Sequence, residues 1–114
     1  MRASKSAVLL LLAALLLGAQ QTRVVTGTVR DQDGHPLAGA VVQMRDLNTL
    51  NIRSCLTQKD GTYHFGGVST EASYRLQAKY RDYPSHVRHV SQFDGRRSAV
   101  VNLTVDLDRW SKHR

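Results

Sequence analysis

The sequence predicts an all-β fold: a two-sheet, Greek-key-type sandwich of about seven strands behind a signal peptide. Three observations carry that prediction. After the N-terminal apolar run, no segment keeps apolar residues at spacings of three and four. Several short runs instead alternate apolar and polar residues or carry β-branched ones, as strands with one wet face do. Gly and Asp turn signals recur about every ten residues, so six or seven short strands fit within about 85 residues.

The first element is the leader. Arg2 and Lys5 form a short positive region, and Ala7 to Gly18 is an uncharged apolar run of 12 residues. A spanning helix needs about 20 apolar residues. Cleavage near Ala19 is therefore expected rather than anchoring, although Leu17 is larger than the residue usual two positions before it. No cysteine stands near the end of the run to carry a lipid. The expected organisation is a signal peptide over 1–19, a linker over 20–23, a sandwich over 24–107 and a basic tail over 108–114. The product is expected to be secreted or periplasmic, with no transmembrane span once the signal is removed.

The strands follow in order. Val24 to Arg30 places Val25, Gly27 and Val29 on one face, and Gly27 there implies close approach by a neighbouring chain or side chain. In residues 31 to 39, Gly34 supplies positive φ, Pro36 fixes its own φ, and Gly39 eases the chain into the next strand. Ala40 to Arg45 then faces Ala40, Val42 and Met44 one way. After a polar loop over Asp46 to Asn51, Ile52 to Gln58 extends again. Asp60-Gly61 is a strong hairpin signal. Tyr63 and Phe65 drive two rings into the core before Gly66-Gly67 is expected to end their strand. Tyr74 to Tyr80 alternates with Tyr74, Leu76, Ala78 and Tyr80 inward. A strand is expected around Ser85 to Gln92. Val101 to Leu107 closes the domain with Val101, Leu103, Val105 and Leu107 inward and Asn102 outward.

Composition bounds the rest. A chain of 114 residues leaves room for one domain and excludes a two-domain enzyme. Lys and Arg number 16 against 9 Asp and Glu, a formal charge of +7 that loses two units with the leader. The single Cys55 cannot form an intramolecular disulfide. It reads as a small hydrophobe buried in a strand, with an intermolecular disulfide as the alternative. Ser54 and Leu56 offer it no base.

The residues resemble the carboxypeptidase regulatory-like domain, a transthyretin-like (prealbumin-like) sandwich. The resemblance rests on VTGTVRDQDGHPLAGAVVQM at Val25 to Met44, TQKDGTYHFGGV at Thr57 to Val68, YRLQA at Tyr74 to Ala78 and VNLTVDL at Val101 to Leu107. It covers about residues 24 to 107, and departs from the family pattern at Ser69 to Tyr74, where a Pro-Gly-x-Tyr loop is usual. The resemblance implies a non-catalytic accessory module. Some related sandwich domains of Gram-positive surface proteins crosslink a first-strand Lys to a last-strand Asn or Asp. Asn102 could accept such a bond, but Val24 to Arg30 holds no Lys. Transthyretin-related hydrolases end in Tyr-Arg-Gly-Ser, which Arg109 to Arg114 does not match.

The chemistry-bearing residues offer little for catalysis. His86 and His89 are three apart, a spacing that on a strand turns the rings to opposite faces, and Arg88 between them repels a cation. No Gly-x-Ser-x-Gly elbow occurs. Catalytic, cofactor-binding and metal residues are therefore all expected to be none. Asn102-Leu103-Thr104 matches a glycosylation sequon but is read as coincidence inside a strand. The expected partner contacts lie in the basic stretch Arg81 to Ser98 and the tail: Arg81, Tyr83, His86, Arg88, His89, Arg96, Arg97 and Trp110. Such a surface suits an extracellular or envelope protein or an anionic glycan. Nucleic acid is not expected, because no recognition motif is present and export removes it. The leading expectation is a non-catalytic structural or accessory module. A small secreted hydrolase using His64, His86 and His89, or a ligand-binding protein of the same fold, is the alternative.

Overall fold

The computed structural model describes residues 21–108, so the leader, Trp110 and the rest of the basic tail lie outside the described residues. Those residues form nine strands: β1 (Thr22–Asp31), β2 (Val41–Asp46), β3 (Ile52–Leu56), β4 (Thr62–Ser69), β5 (Tyr74–Tyr80), β6 (Tyr83–Pro84), β7 (Arg88–Val90), β8 (Ser98–Val100) and β9 (Leu103–Val105). They make two sheets, β4-β1-β8 with β9 also on β1, and β3-β2-β5-β6 with β7 also on β5. The inward residues of both sheets pack into one core, including Val25, Val29, Val42, Met44, Leu76 and Leu103. This is the predicted two-sheet sandwich, with the expected inward faces on β1, β2, β4 and β5.

β1 organises its sheet. It pairs antiparallel with β4 on one side and parallel with β8 and β9 on the other. Gly27 accounts for the break between β8 and β9. A Cβ at Gly27 would lie 1.8 Å from the Val101 carbonyl oxygen, so the closing chain bends into the space that only glycine leaves. The Tyr63 hydroxyl donates to that same carbonyl. Across the break, the Asn102 side-chain oxygen accepts from Thr28 N–H at 3.1 Å, replacing a backbone partner.

Several expectations change. The predicted single strand Val101 to Leu107 is shorter, and Ser98–Val100 is an additional strand in front of it. Asn102 consequently sits in the break and not inside a strand. The strand expected at Ser85 to Gln92 narrows to Arg88–Val90, while Tyr83–Pro84 forms a short strand of its own on β5. Gly66-Gly67 does not end β4. The register of β1 on β4 shifts between Arg23 and Val25, and Gly67 at φ 59° absorbs the extra residue as a bulge, so the strand runs on to Ser69. β1 also begins at Thr22, which brings two residues of the expected linker into the sheet.

The turn residues act through backbone geometry. Gly34, Gly39 and Gly61 take φ of 85°, 74° and 78°. Pro36 forms a bridge with Arg30, and Asp60 accepts hydrogen bonds from Thr62 N–H and hydroxyl at 3.1 and 2.6 Å. Those bonds, the hydroxyl's first, hold the Asp60 carboxyl below its ordinary range. Cys55 is half-buried on the edge strand β3, less enclosed than expected, and burial pushes its thiol pKa up. No helix among the described residues is long and apolar enough to cross a membrane.

Candidate functional site

The two-residue period that turns Val25, Gly27 and Val29 inward also turns Arg23 inward, at the second residue of β1. Arg23 is 2% exposed. Its Nη1 donates to the Ser91 carbonyl at a long 3.4 Å, and its Nε and Nη2 are buried without a hydrogen-bond partner among the described residues. Buried polar groups are normally satisfied, so this arrangement makes the surroundings of Arg23 a candidate site.

The chain between β7 and β8 closes over this arginine. Gln92 N–H donates to Ser73 Oγ at 3.0 Å, Phe93 N–H to Ser91 Oγ at 3.1 Å, and Asp94 N–H to the Ser91 carbonyl at 3.0 Å. At the far end Val24 N–H donates to the Arg97 carbonyl at 2.8 Å. Inside the loop Arg96 grips Asp94 side-on, Nε at 3.0 and 3.1 Å and Nη2 at 2.6 Å from the carboxylate oxygens. Those bonds, with the Arg96 backbone N–H and the charges of Arg96 and Arg23, lower the Asp94 pKa to about 2. Between loop and sandwich lies a half-open cavity of about 450 Å³, lined by Gln21, Thr22, Arg23, Thr70 and residues 92–97. Phe93 stands at its rim, 86% exposed. Arg23, Arg96 and Arg97 are thus among its lining residues, together with Asp94.

The structure distributes the sequence-predicted contacts instead of gathering them. Arg96 and Arg97 line the cavity. Arg81 sits at the opposite end of β5, about 20 Å away by strand rise, in a two-residue turn where Arg81 and Asp82 both have positive φ. Its guanidinium lies 5.2 Å from the Tyr80 ring centroid. Tyr83 is half-buried against the core. Exposed Arg88 and His89 lie on β7, opposite Leu76 and Arg75, and Arg88 donates to the Asn102 carbonyl at 3.4 Å. Exposed His86 has its Nδ1 3.3 Å from the Thr104 carbonyl. Arg23 was not among the expected site residues, yet extending the Val25, Gly27, Val29 period back one step finds a charged residue on a core face.

The histidines of the hydrolase alternative stay apart in the topology. His64 is on β4 beside Thr26 in the first sheet, whereas His89 is on β7 in the second. Neither this cavity nor a second one of about 290 Å³ near Met44, Asp46 and Arg53 has a histidine in its lining. Among the described residues, ligand-type atoms converge at Asp31, Asp33 and His35, within 4.8 Å of one another. Asp31 there accepts backbone N–H bonds from Asp33 and His35 at 2.9 Å each, which hold the turn. The His35 bond is the main cause of its lowered pKa.

Among curated proteins none matches the chain. Solved structures share its fold at low identity. A chlorocatechol 1,2-dioxygenase from Pseudomonas putida superposes with a TM-score of 0.60 at 13% identity, covering 76% of this chain and 61% of its own. The dioxygenase domain of a dioxygenase carbohydrate-binding protein fusion from Streptomyces sp. SirexAA-E gives 0.56 at 13%, covering 78% and 83%. The group B streptococcus pilus 2b backbone protein gives 0.53 at 16%, covering 78% and 43%. This chain thus spans about three fifths of the chlorocatechol enzyme and less than half of the pilus protein. These likenesses are of fold alone. The family model of the carboxypeptidase regulatory-like domain, a non-catalytic domain, matches residues 24–107. A sandwich with this core, these turns and that match belongs to the carboxypeptidase regulatory-like domain family.

Proposed function

We propose that this domain is an exported accessory module that holds an extracellular or envelope partner, a protein or an anionic glycan, at the loop end of its sandwich. The observation that carries the reading is the clustering of Arg23, Arg96 and Arg97 around one cavity, with Asp94 the one acidic lining residue among the described residues. Such a concentration of positive charge on a small rigid body raises the local concentration of anionic partners. The family supports a structural rather than a catalytic role, and the apolar N-terminal run supports export.

The test is a pull-down from native envelope and medium with residues 20–114, eluted by a salt gradient and read by mass spectrometry. A partner released as salt shortens the screening length is the expected result. The variant Arg96→Glu with Arg97→Glu is expected to lower capture while the domain stays folded. Capture that ignores both salt and this variant overturns the reading.

A further inference from the structure

We propose that the cavity over Arg23 is a binding site for an acidic sugar, with the sugar carboxylate seated on the Nε and Nη2 edge of Arg23. The inference deepens the reading just given and rests on it for the source of the ligand. Nε and Nη2 lie on one edge of a guanidinium, the edge that takes a carboxylate through two parallel bonds. Arg96 uses that same edge on Asp94 a few residues away. On Arg23 it is buried and meets no hydrogen-bond partner among the described residues.

A buried guanidinium without its hydrogen bonds is costly, and an oxyanion brought onto that edge removes the cost. Asp94 is the local competitor, because its carboxylate feels the charge of Arg23, but its oxygens are held by Arg96. The remainder of the cavity matches a sugar better than a peptide. Thr22, Thr70, Gln21 and Gln92 line it, residues whose hydroxyl and amide groups supply donors and acceptors of the kinds that pair with sugar hydroxyls. Phe93 offers a ring face at the rim, exposed at a position where no packing accounts for it. A volume of about 450 Å³ accommodates a sugar unit of a chain. With the loop in its present position the two Arg23 nitrogens are covered, so the carboxylate reaches them as the Phe93–Gly95 tip lifts. Phe93 and Gly95 in that tip are exposed, and among the described residues the loop is tied to the body near its two ends, at Ser91, Gln92 and Arg97.

The experiment is a ¹⁵N NMR titration of residues 20–114 with sodium glucuronate and galacturonate. Glucose, acetate, inorganic phosphate and an N-acetylated dipeptide with a free C-terminus serve as controls. Saturable shifts at the Arg23 side-chain Nε–H and at residues 92–97 with the uronates, and none with glucose, are expected. Arg23→Met is expected to lose these shifts while keeping a dispersed spectrum. Arg23→Lys, which keeps the charge but not the fork, is expected to bind at least about tenfold more weakly. Asp94→Asn, which removes the repelling carboxylate, is expected to bind more tightly.

Equal binding of phosphate, or tighter binding of the dipeptide, overturns the sugar assignment. Absence of saturable shifts, or their persistence in Arg23→Met, overturns the site. Capture of an anionic polysaccharide that survives Arg23→Met but not Arg96→Glu with Arg97→Glu would remove this pocket and leave the broader charged-surface reading standing.

Discussion

Gly27 shows how a single residue sets the path of the chain 74 positions later, at the break between β8 and β9. Its missing side chain is occupied by the Val101 carbonyl, 1.8 Å from where a Cβ would stand. Gly27→Ala must push the closing chain off β1, and overpacking of a core position costs about 3 kcal/mol or more when backbone is what must move. Urea unfolding checks this; an unchanged midpoint would show that the bend does not depend on glycine. Asp94 offers a second test at the same scale. Its folded pKa is depressed from 3.8 to about 2, so its pairing contributes above the ordinary pKa and is lost as pH falls through the folded value. The carboxyl signal of Asp94 should titrate near pH 2, and Arg96→Ala should return it toward the ordinary range.

At the scale of elements, Thr57 ties the loop between β1 and β2 to the chain after β3. Its buried hydroxyl donates to the Leu37 carbonyl and accepts from Ala40 N–H at 2.9 Å. Thr57→Val keeps the shape and strands both backbone groups, an expected loss of about 1–3 kcal/mol in equilibrium unfolding. The long strands were legible because alternation and turn residues agree: Tyr74 to Tyr80 was read to the residue. The short ones were not. The β5–β6 turn uses Arg81 and Asp82 in positive φ, where Gly or Asn would have announced a hairpin. Ser98–Val100 is too short to show a period. The bulge at Gly66-Gly67 looked like a terminator because glycine marks both ends and bulges of strands.

For the whole molecule, the decisive contact joins the two ends of the domain, since β8 and β9 complete β1 in parallel. A chain ending at Arg97 loses Val101, Leu103 and Val105, each at most 2% exposed. At roughly 1.5–3 kcal/mol per buried side chain, that loss is comparable with the about 5–15 kcal/mol that holds a domain together. Such a chain is expected to lack a cooperative thermal transition by circular dichroism; a sharp transition near that of residues 20–114 would show that the first seven strands suffice.

Alternation, β-branched residues and turn chemistry determined the fold class, the inward faces and most of the core, because each acts over two to ten residues and is written in the local order. The distribution of the basic residues was decided only in three dimensions. Arg81 and Arg96 share one stretch of sequence, yet the chain between them runs back along β5 through β6 and β7 and leaves them at opposite ends of that strand, while Arg23 joins Arg96 and Arg97 from across the chain. Whether a charge on an inward face is covered, paired or left open depends on which distant segment closes over it. For Arg23 that segment is the loop after β7, and no local pattern in the sequence specifies the meeting.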